Sequence, residues 1–171
     1  MDQLINSFFN NYSNNYLNLF MSIFSFIGSE YILLPLSLIV FLYLLYKKKN
    51  AFIFFATMTC GFISFILLKE IFHRVRPDNN IEVGYSFPSG HATMNIIFFS
   101  LIIYFFKDNI KNKILRISFI FSCALIIFLI GFSRIYLQVH WFSDVVAGYI
   151  LGIFWFIIFK SKKVKYILFN F

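Results

Sequence analysis

The segment AFIFFATMTCGFISFILLKEIFHRVRP, residues 51–77, decides the fold. Residues 51–68 carry no charge. A membrane-crossing helix needs about 20 predominantly apolar residues. The run then passes directly into Lys69, Glu70, His73, Arg74 and Arg76, and Pro77 follows. Lys69, His73 and Arg76 stand at i, i+4 and i+7, so the spacing predicts that they share one helix face. Pro77 is expected to stop that helix. Basic side chains snorkelling from the end of a span account equally well for this segment taken alone.

The pattern repeats on both sides. Further apolar runs at 31–46, 89–106, 117–132 and 145–159 give five predicted spans. Pro35 falls in the first turns of the earliest, where a missing N–H matters least. Several runs are short, so the helices are expected to extend through their polar ends into the interface. The composition agrees: 60% of the 171 residues are hydrophobic and 13% charged, with mean hydropathy +0.80. Soluble domains are about a quarter charged. The expected fold is therefore all-α, a polytopic membrane helix bundle forming one domain over 1–171. Its helical core spans 31–160, and a cytoplasmic tail follows at 161–171. Residues 1–30 are rich in Asn and aromatics, and their apolar stretch, 16–27, is short for a span. One or two interfacial helices are expected there, with a short sixth span as the competing reading. The 27 Phe residues are attributed to a general compositional enrichment. Cys60 and Cys123 lie within apolar runs as packing residues and define neither a disulfide framework nor zinc spacing. Met1-Asp2-Gln3 lacks the basic start of a cleaved signal peptide.

The net charge of +8 does not point to nucleic acid, because the cations cluster in short segments between apolar runs. Five spans place Lys47–Lys49, Lys107–Arg116 and Lys160–Lys165 on one side, 11 of the 15 basic residues. The positive-inside rule makes that side cytoplasmic. Lys69, Arg74, Arg76 and Arg134 remain outside, each in or beside a polar segment. Cations kept on the disfavoured side beside His and Asp call for an anionic ligand.

Three polar segments share that outer side: 69–77, Pro88-Ser89-Gly90-His91, and Ser133 to Asp144. In the second, Ser89 is a candidate N-cap. Gly90 permits close backbone approach, and the free N–H groups suit an anion. A plain helix start with a polar histidine explains that segment alone. In the third, Arg134 offers a planar donor fork to phosphate oxygens. His140 and Asp144 stand four apart, so on a helix the carboxylate sits one turn from the imidazole. A His–Asp pair that merely fixes a loop is the alternative.

Together, Lys-x6-Arg-Pro, Pro-Ser-Gly-His and Ser-Arg-x5-His-x3-Asp resemble the three signature motifs of the type 2 phosphatidic acid phosphatase superfamily, in order and spacing, over about residues 51–155. The resemblance implies a membrane helix bundle that dephosphorylates lipid phosphates and diphosphates without a metal or other cofactor. It implies that His140 is the nucleophile and forms a phosphohistidine, that Asp144 holds its tautomer, and that His91 is the general acid. Lys69, Arg76, Arg134, Ser89 and the Gly90 N–H would cradle the phosphoryl oxygens. Such a set meets the needs of phosphoryl transfer: charge neutralisation, in-line positioning and a proton for the leaving group. His73 and Arg74 fall inside the first motif at positions it does not fix, and both are left outside the core site.

The resemblance makes undecaprenyl diphosphate the first candidate substrate; phosphatidate, phosphatidylglycerol phosphate and lipid A phosphates follow. The charge count places the site on the extracytoplasmic face of the cell membrane. The N-terminus departs from the family, many of whose bacterial members have a full span before the first one here. Two other classes compete: a metal site built from His73, His91, His140 and Asp144, which lacks a ligand pattern, and a non-catalytic lipid-binding or transport protein. The family also shares its site design with vanadate-dependent haloperoxidases, so vanadate is expected to inhibit by occupying the phosphate site. Finally, His140, Asp144, Gly148 and Gly152 recur every four residues. Gly148-x3-Gly152 lets another helix approach, so this stripe is expected to face the bundle.

Overall fold

The computed structural model describes residues 1–11, 14–78 and 82–161. Those residues form α1 (Asp2–Asn11), α2 (Asn15–Ile27), α3 (Glu30–Tyr46), α4 (Ala51–Phe72), α5 (Gly90–Phe106), a 3-10 turn (Lys107–Asn109), α6 (Lys113–Tyr136) and α7 (Phe142–Lys160). No strand occurs among them. Five stretches are long and apolar enough to cross a membrane: Asn15–Tyr46, Ala51–Phe72, Gly90–Asn109, Lys113–Tyr136 and Phe142–Lys160. The expected all-α membrane bundle is the fold observed. The expected tail lies, beyond Ser161, outside the described residues.

The spans run further into polar sequence than apolar content alone suggests. The fourth begins at Lys113, not Ile117, because the Asn112 side chain caps the N–H groups of Ile114 (2.8 Å) and Leu115 (3.1 Å). It ends at Tyr136, which places Arg134 in its last turn. The N-terminal region forms two helices. α2 continues into α3 across Gly28–Ser29 and packs along α6. The Gly28 carbonyl accepts Asn95 Nδ2 at 2.7 Å, and a Cβ on Gly28 would run into the Ile130 side chain. Tyr136 donates to Asn18 Oδ1 at 2.8 Å.

α5 is the central helix, packed on α4, α6 and α7. Its partners above the site are apolar: Ile97, Phe98 and Leu101 interlock with Leu44, Ile53 and Phe54. Many Phe, Ile and Leu side chains remain exposed on the outer surfaces of the helices, among them Leu34, Phe55, Phe121 and Ile157. In water such a surface would drive association; in a bilayer it is the solvated face. The basic ends of the helices gather at one end of the bundle, where Lys49 Nζ donates to the Phe105 carbonyl at 3.1 Å and Tyr43 stacks on Phe106.

The small-residue stripe on α7 faces α5 as expected. A Cβ on Gly148 would lie 2.7 Å from the Ser89 carbonyl oxygen, and one on Gly152 would lie 2.8 Å from that of Thr93. Both obstacles are backbone, which cannot rotate aside. The close approach allows the Ser89 N–H to donate to the Asp144 carbonyl at 3.0 Å. His140 does not belong to the stripe, because α7 begins two residues after it. Gly148→Ala is expected to destabilise the protein by about 1–3 kcal/mol through overpacking and to lower turnover, because the start of α5 must shift. Thermal unfolding in detergent and phosphate release check it, and an unchanged melting temperature would remove the argument.

Candidate active site

The three polar segments meet around one cavity of about 600 Å³ at the end of the bundle opposite the basic helix ends. Lys69, Arg76, Gly90, His91, Arg134 and His140 all line it. Ser89 and Asp144 do not; both are fully buried behind it.

Local chain geometry explains the spacing of the third segment. α6 ends at Tyr136 with Leu137 as its cap, and Gln138 takes the left-handed conformation (φ 58°). The Gln138 N–H then donates to the Ile135 carbonyl, and Val139 and His140 both donate to the Arg134 carbonyl, each at 3.1 Å. This is a Schellman stop extended by one residue, and it ties His140 to Arg134 through the backbone. α7 starts at once: Asp144 Oδ2 accepts the Trp141 N–H at 2.9 Å, one half of a capping box. The spacing therefore places Asp144 beside His140 through a helix start, not through a helix face as expected from i and i+4. Asp144 Oδ2 lies 3.5 Å from His140 Nδ1, which makes no hydrogen bond of good geometry.

The first segment also departs from the expected helix face. α4 ends at Phe72, because His73 adopts a left-handed cap (φ 45°) and returns its N–H to the Lys69 carbonyl at 3.1 Å. His73 is exposed and meets the Tyr85 ring edge-on. Of Lys69, His73 and Arg76, only Lys69 reaches the cavity from the helix; Arg76 reaches it from the non-helical segment that follows. That segment is sewn to its neighbours by carbonyls. Arg76 NH1 donates to Val139 O (2.9 Å), Arg76 Nε to Gly84 O (3.0 Å), and the Trp141 indole to Val75 O (2.9 Å). Lys69 Nζ donates to the Tyr85 carbonyl. In the second segment, Ser89 caps α5 through the Ala92 N–H (3.4 Å), and a Cβ on Gly90 would press on the Phe65 ring at 3.0 Å.

The cations crowd one another. Arg76 and Arg134 are 8% and 3% exposed, and Arg76 NH1 lies 3.4 Å from His140 Nε2. Burial, aided by Arg134, Arg76 and Lys69, pushes the His140 imidazole down to about 4 against the pull of Asp144. Burial thus favours the neutral His140 imidazole, whose Nε2 lies on the cavity side beside Arg76 NH1.

Two residues that sequence reasoning did not select complete the geometry. Glu82 Oε2 lies 2.9 Å from Arg76 NH1, and its Oε1 pairs with Arg134 NH2. Burial favours the neutral acid, but Arg134 and Arg76 hold Glu82 below the usual carboxylate range. A carboxylate thus occupies the fork positions where a bound oxyanion would bridge the two guanidinium groups. No spacing rule marked it within the polar loop. The second is Arg74, which donates to Asp144 Oδ1 at 2.6 Å; its place inside the first segment was the available signal. Among the described residues, no group of three or more His, Cys, Asp or Glu is placed to hold a metal ion.

A bundle with buried cations and paired histidines at one end defines a membrane-embedded phosphatase. The PAP2 superfamily model matches residues 49–166, and the chain belongs to that superfamily, as a hydrolase acting on phosphate esters. It is 31% identical over 148 residues to phosphatidylglycerophosphatase B of Bacillus subtilis, covering 81% of this chain and 72% of that protein. It is 28% identical over 138 residues to undecaprenyl-diphosphatase of Sulfolobus acidocaldarius, covering 73% of this chain and 60% of that one. The crystal structure of the transmembrane PAP2 type phosphatidylglycerolphosphate phosphatase from Bacillus subtilis superposes with a TM-score of 0.86 at 28% identity, over 98% of this chain and 87% of the other.

Glu82→Gln removes the anion that competes for Arg76 and Arg134 while keeping the side chain's size. Inorganic phosphate and vanadate are expected to inhibit at about tenfold lower concentration, the scale of one charge-assisted hydrogen bond. An unchanged inhibition constant would place the oxyanion elsewhere.

Proposed function

We propose that the chain removes the terminal phosphoryl group of a membrane lipid phosphate or diphosphate through a phosphohistidine on His140. The observation that carries this reading is the composition of one cavity. Lys69, Arg76, Arg134, His91 and His140 face it, and its wall continues into Phe26, Leu34, Met58, Phe62 and Phe65. Charge and acid–base groups lie at one end, and an apolar surface fit for an acyl or isoprenoid chain lies at the other.

His140 Nε2 attacks phosphorus, and the bond from phosphorus to the lipid oxygen breaks. His91 gives its proton to that leaving oxygen. Lys69, Arg76 and Arg134 balance the charge on the three equatorial oxygens, and the Gly90 N–H completes the cradle, with Ser89 capping the helix start behind it. Asp144 supports the imidazole while it carries the phosphoryl group. Water then attacks phosphorus, His91 takes its proton, the N–P bond breaks, and inorganic phosphate leaves.

The site lies on the extracytoplasmic face, on the balance of 11 basic residues against 4. The cavity's charged groups converge on one phosphoryl group. The lipid remainder meets mostly apolar side chains, so headgroup discrimination is expected to be loose. Undecaprenyl diphosphate and phosphatidylglycerol phosphate are the two substrates this reading puts first, in line with the activities for which the two relatives are named.

Purified protein with a chelator present is expected to release phosphate from both lipids, and His140→Ala to abolish release from either. Equal turnover without His140 would defeat the mechanism. The pH profile has a definite sign. His140 attacks as the neutral base, which prevails above its value of about 4. The acid limb of kcat/KM is therefore expected well below the ordinary imidazole value of about 6.5.

A further inference from the structure

Asp144 is fully buried, and a buried carboxylate needs partners. The tightest of them is not His140. Arg74 NH1 lies 2.6 Å from Asp144 Oδ1, and Arg74 NH2 lies 2.7 Å from Asp2 Oδ2. Ser143 closes the group: its hydroxyl accepts from Arg74 at 2.7 Å and donates to Asp2 at 2.5 Å, and its N–H donates to Asp2 Oδ1 at 3.2 Å. The guanidinium also lies over the Trp141 ring, 5.5 Å from its centroid. Arg74 does not line the catalytic cavity. It lines a second cavity of about 650 Å³ behind Asp144, together with Asp2, Trp141 and Ser143.

Arg74 is thus separated from any phosphate held by Lys69, Arg76 and Arg134. Its contact with the reacting imidazole runs through Asp144 alone. Charges alternate along the row: Asp2 negative, Arg74 positive, Asp144 negative, His140 positive once it carries the phosphoryl group. Without that last charge the row sums to −1; with it, the row is neutral.

We infer that Arg74, pinned by Asp2 and Ser143, is a positioning residue that fixes the Asp144 carboxylate against His140 and sets the charge His140 meets as it reacts. The inference rests on His140 being the nucleophile.

The test compares full-length purified Arg74→Gln, Arg74→Lys and Asp2→Asn on a water-soluble short-chain phosphatidate. Arg74→Gln is expected to lower kcat about 10- to 100-fold, the range for groups that orient an imidazole from behind, with KM within about twofold. Its acid limb is expected to move to higher pH, because loss of a nearby cation favours the protonated imidazole. Arg74→Lys restores the charge and is expected to recover most of kcat. Asp2→Asn is expected to move the acid limb the other way, because it leaves Arg74 less neutralised. Lys69 from α4, Arg76 and Glu82 from the α4–α5 connection, His91 from α5 and Arg134 from α6 also face His140 and stay constant throughout.

A fall in kcat with an unmoved acid limb is the signature of general loosening and overturns the inference. So does a rise in KM alone, which would put Arg74 on the phosphate. Should Arg74→Gln fail to fold, Asp2→Asn decides: an acid limb shifted to lower pH supports the inference, and a limb unmoved from that of the natural protein refutes it. Activity surviving in His140→Ala defeats the nucleophile reading instead, whereas a dead His140→Ala beside a normal Arg74→Gln defeats only this inference.

Discussion

A single buried carboxylate, that of Asp144, joins the parts of this protein that must meet. Its Oδ2 closes the first turn of α7 on Trp141 and faces His140. Its Oδ1 takes Arg74 from the α4–α5 connection, and its backbone carbonyl takes the N–H of Ser89 at the start of α5. A charge removed from water is tolerated only when its lone pairs are filled. Filling them here draws in the ends of α4, α5 and α6, and through Asp2 the first helix. The apolar interior is thin, and many large side chains face outward. Packing therefore sets the helices side by side, and the polar network fixes their ends.

The second constraint is the crowding of positive charge. Arg76 and Arg134 lie buried near each other with Lys69 and two histidines. Such a cluster repels itself unless an anion is shared. Glu82 supplies one in the resting structure, and a phosphoryl group would supply one in turnover. Burial, aided by the same cations, favours the neutral His140 imidazole. One arrangement therefore creates the demand for an anion and leaves a neutral imidazole beside it.

How far the sequence reached differs from residue to residue. Lys69, Arg76, His91, Arg134 and His140 were legible because each stands in a short local pattern at the end of an apolar run. Gly148 and Gly152 were legible because a four-residue repeat on a helix has one geometric meaning. The helix faces proposed for His73, Arg76 and His140 were not right. Each rested on a helix continuing through a residue that instead takes a left-handed cap, His73 in one case and Gln138 in the other. Neither is glycine, so nothing in the residue type announced the stop. Arg74 and Glu82 escaped because their partners lie far along the chain, at Asp144 and at Arg134.

The sequence by itself determined that this is a membrane helix bundle, where its long apolar stretches lie, and which polar segments share an end. Those properties follow from hydropathy and chain alternation, which are local and additive. Only the tertiary structure decided which oxygen of Asp144 meets which cation, that Asp2 belongs to the network, and that a carboxylate rests between two arginines. Most of those depend on contacts between residues 52 to 141 positions apart, set by helix packing and by the need to pair every buried charge. No local pattern encodes them.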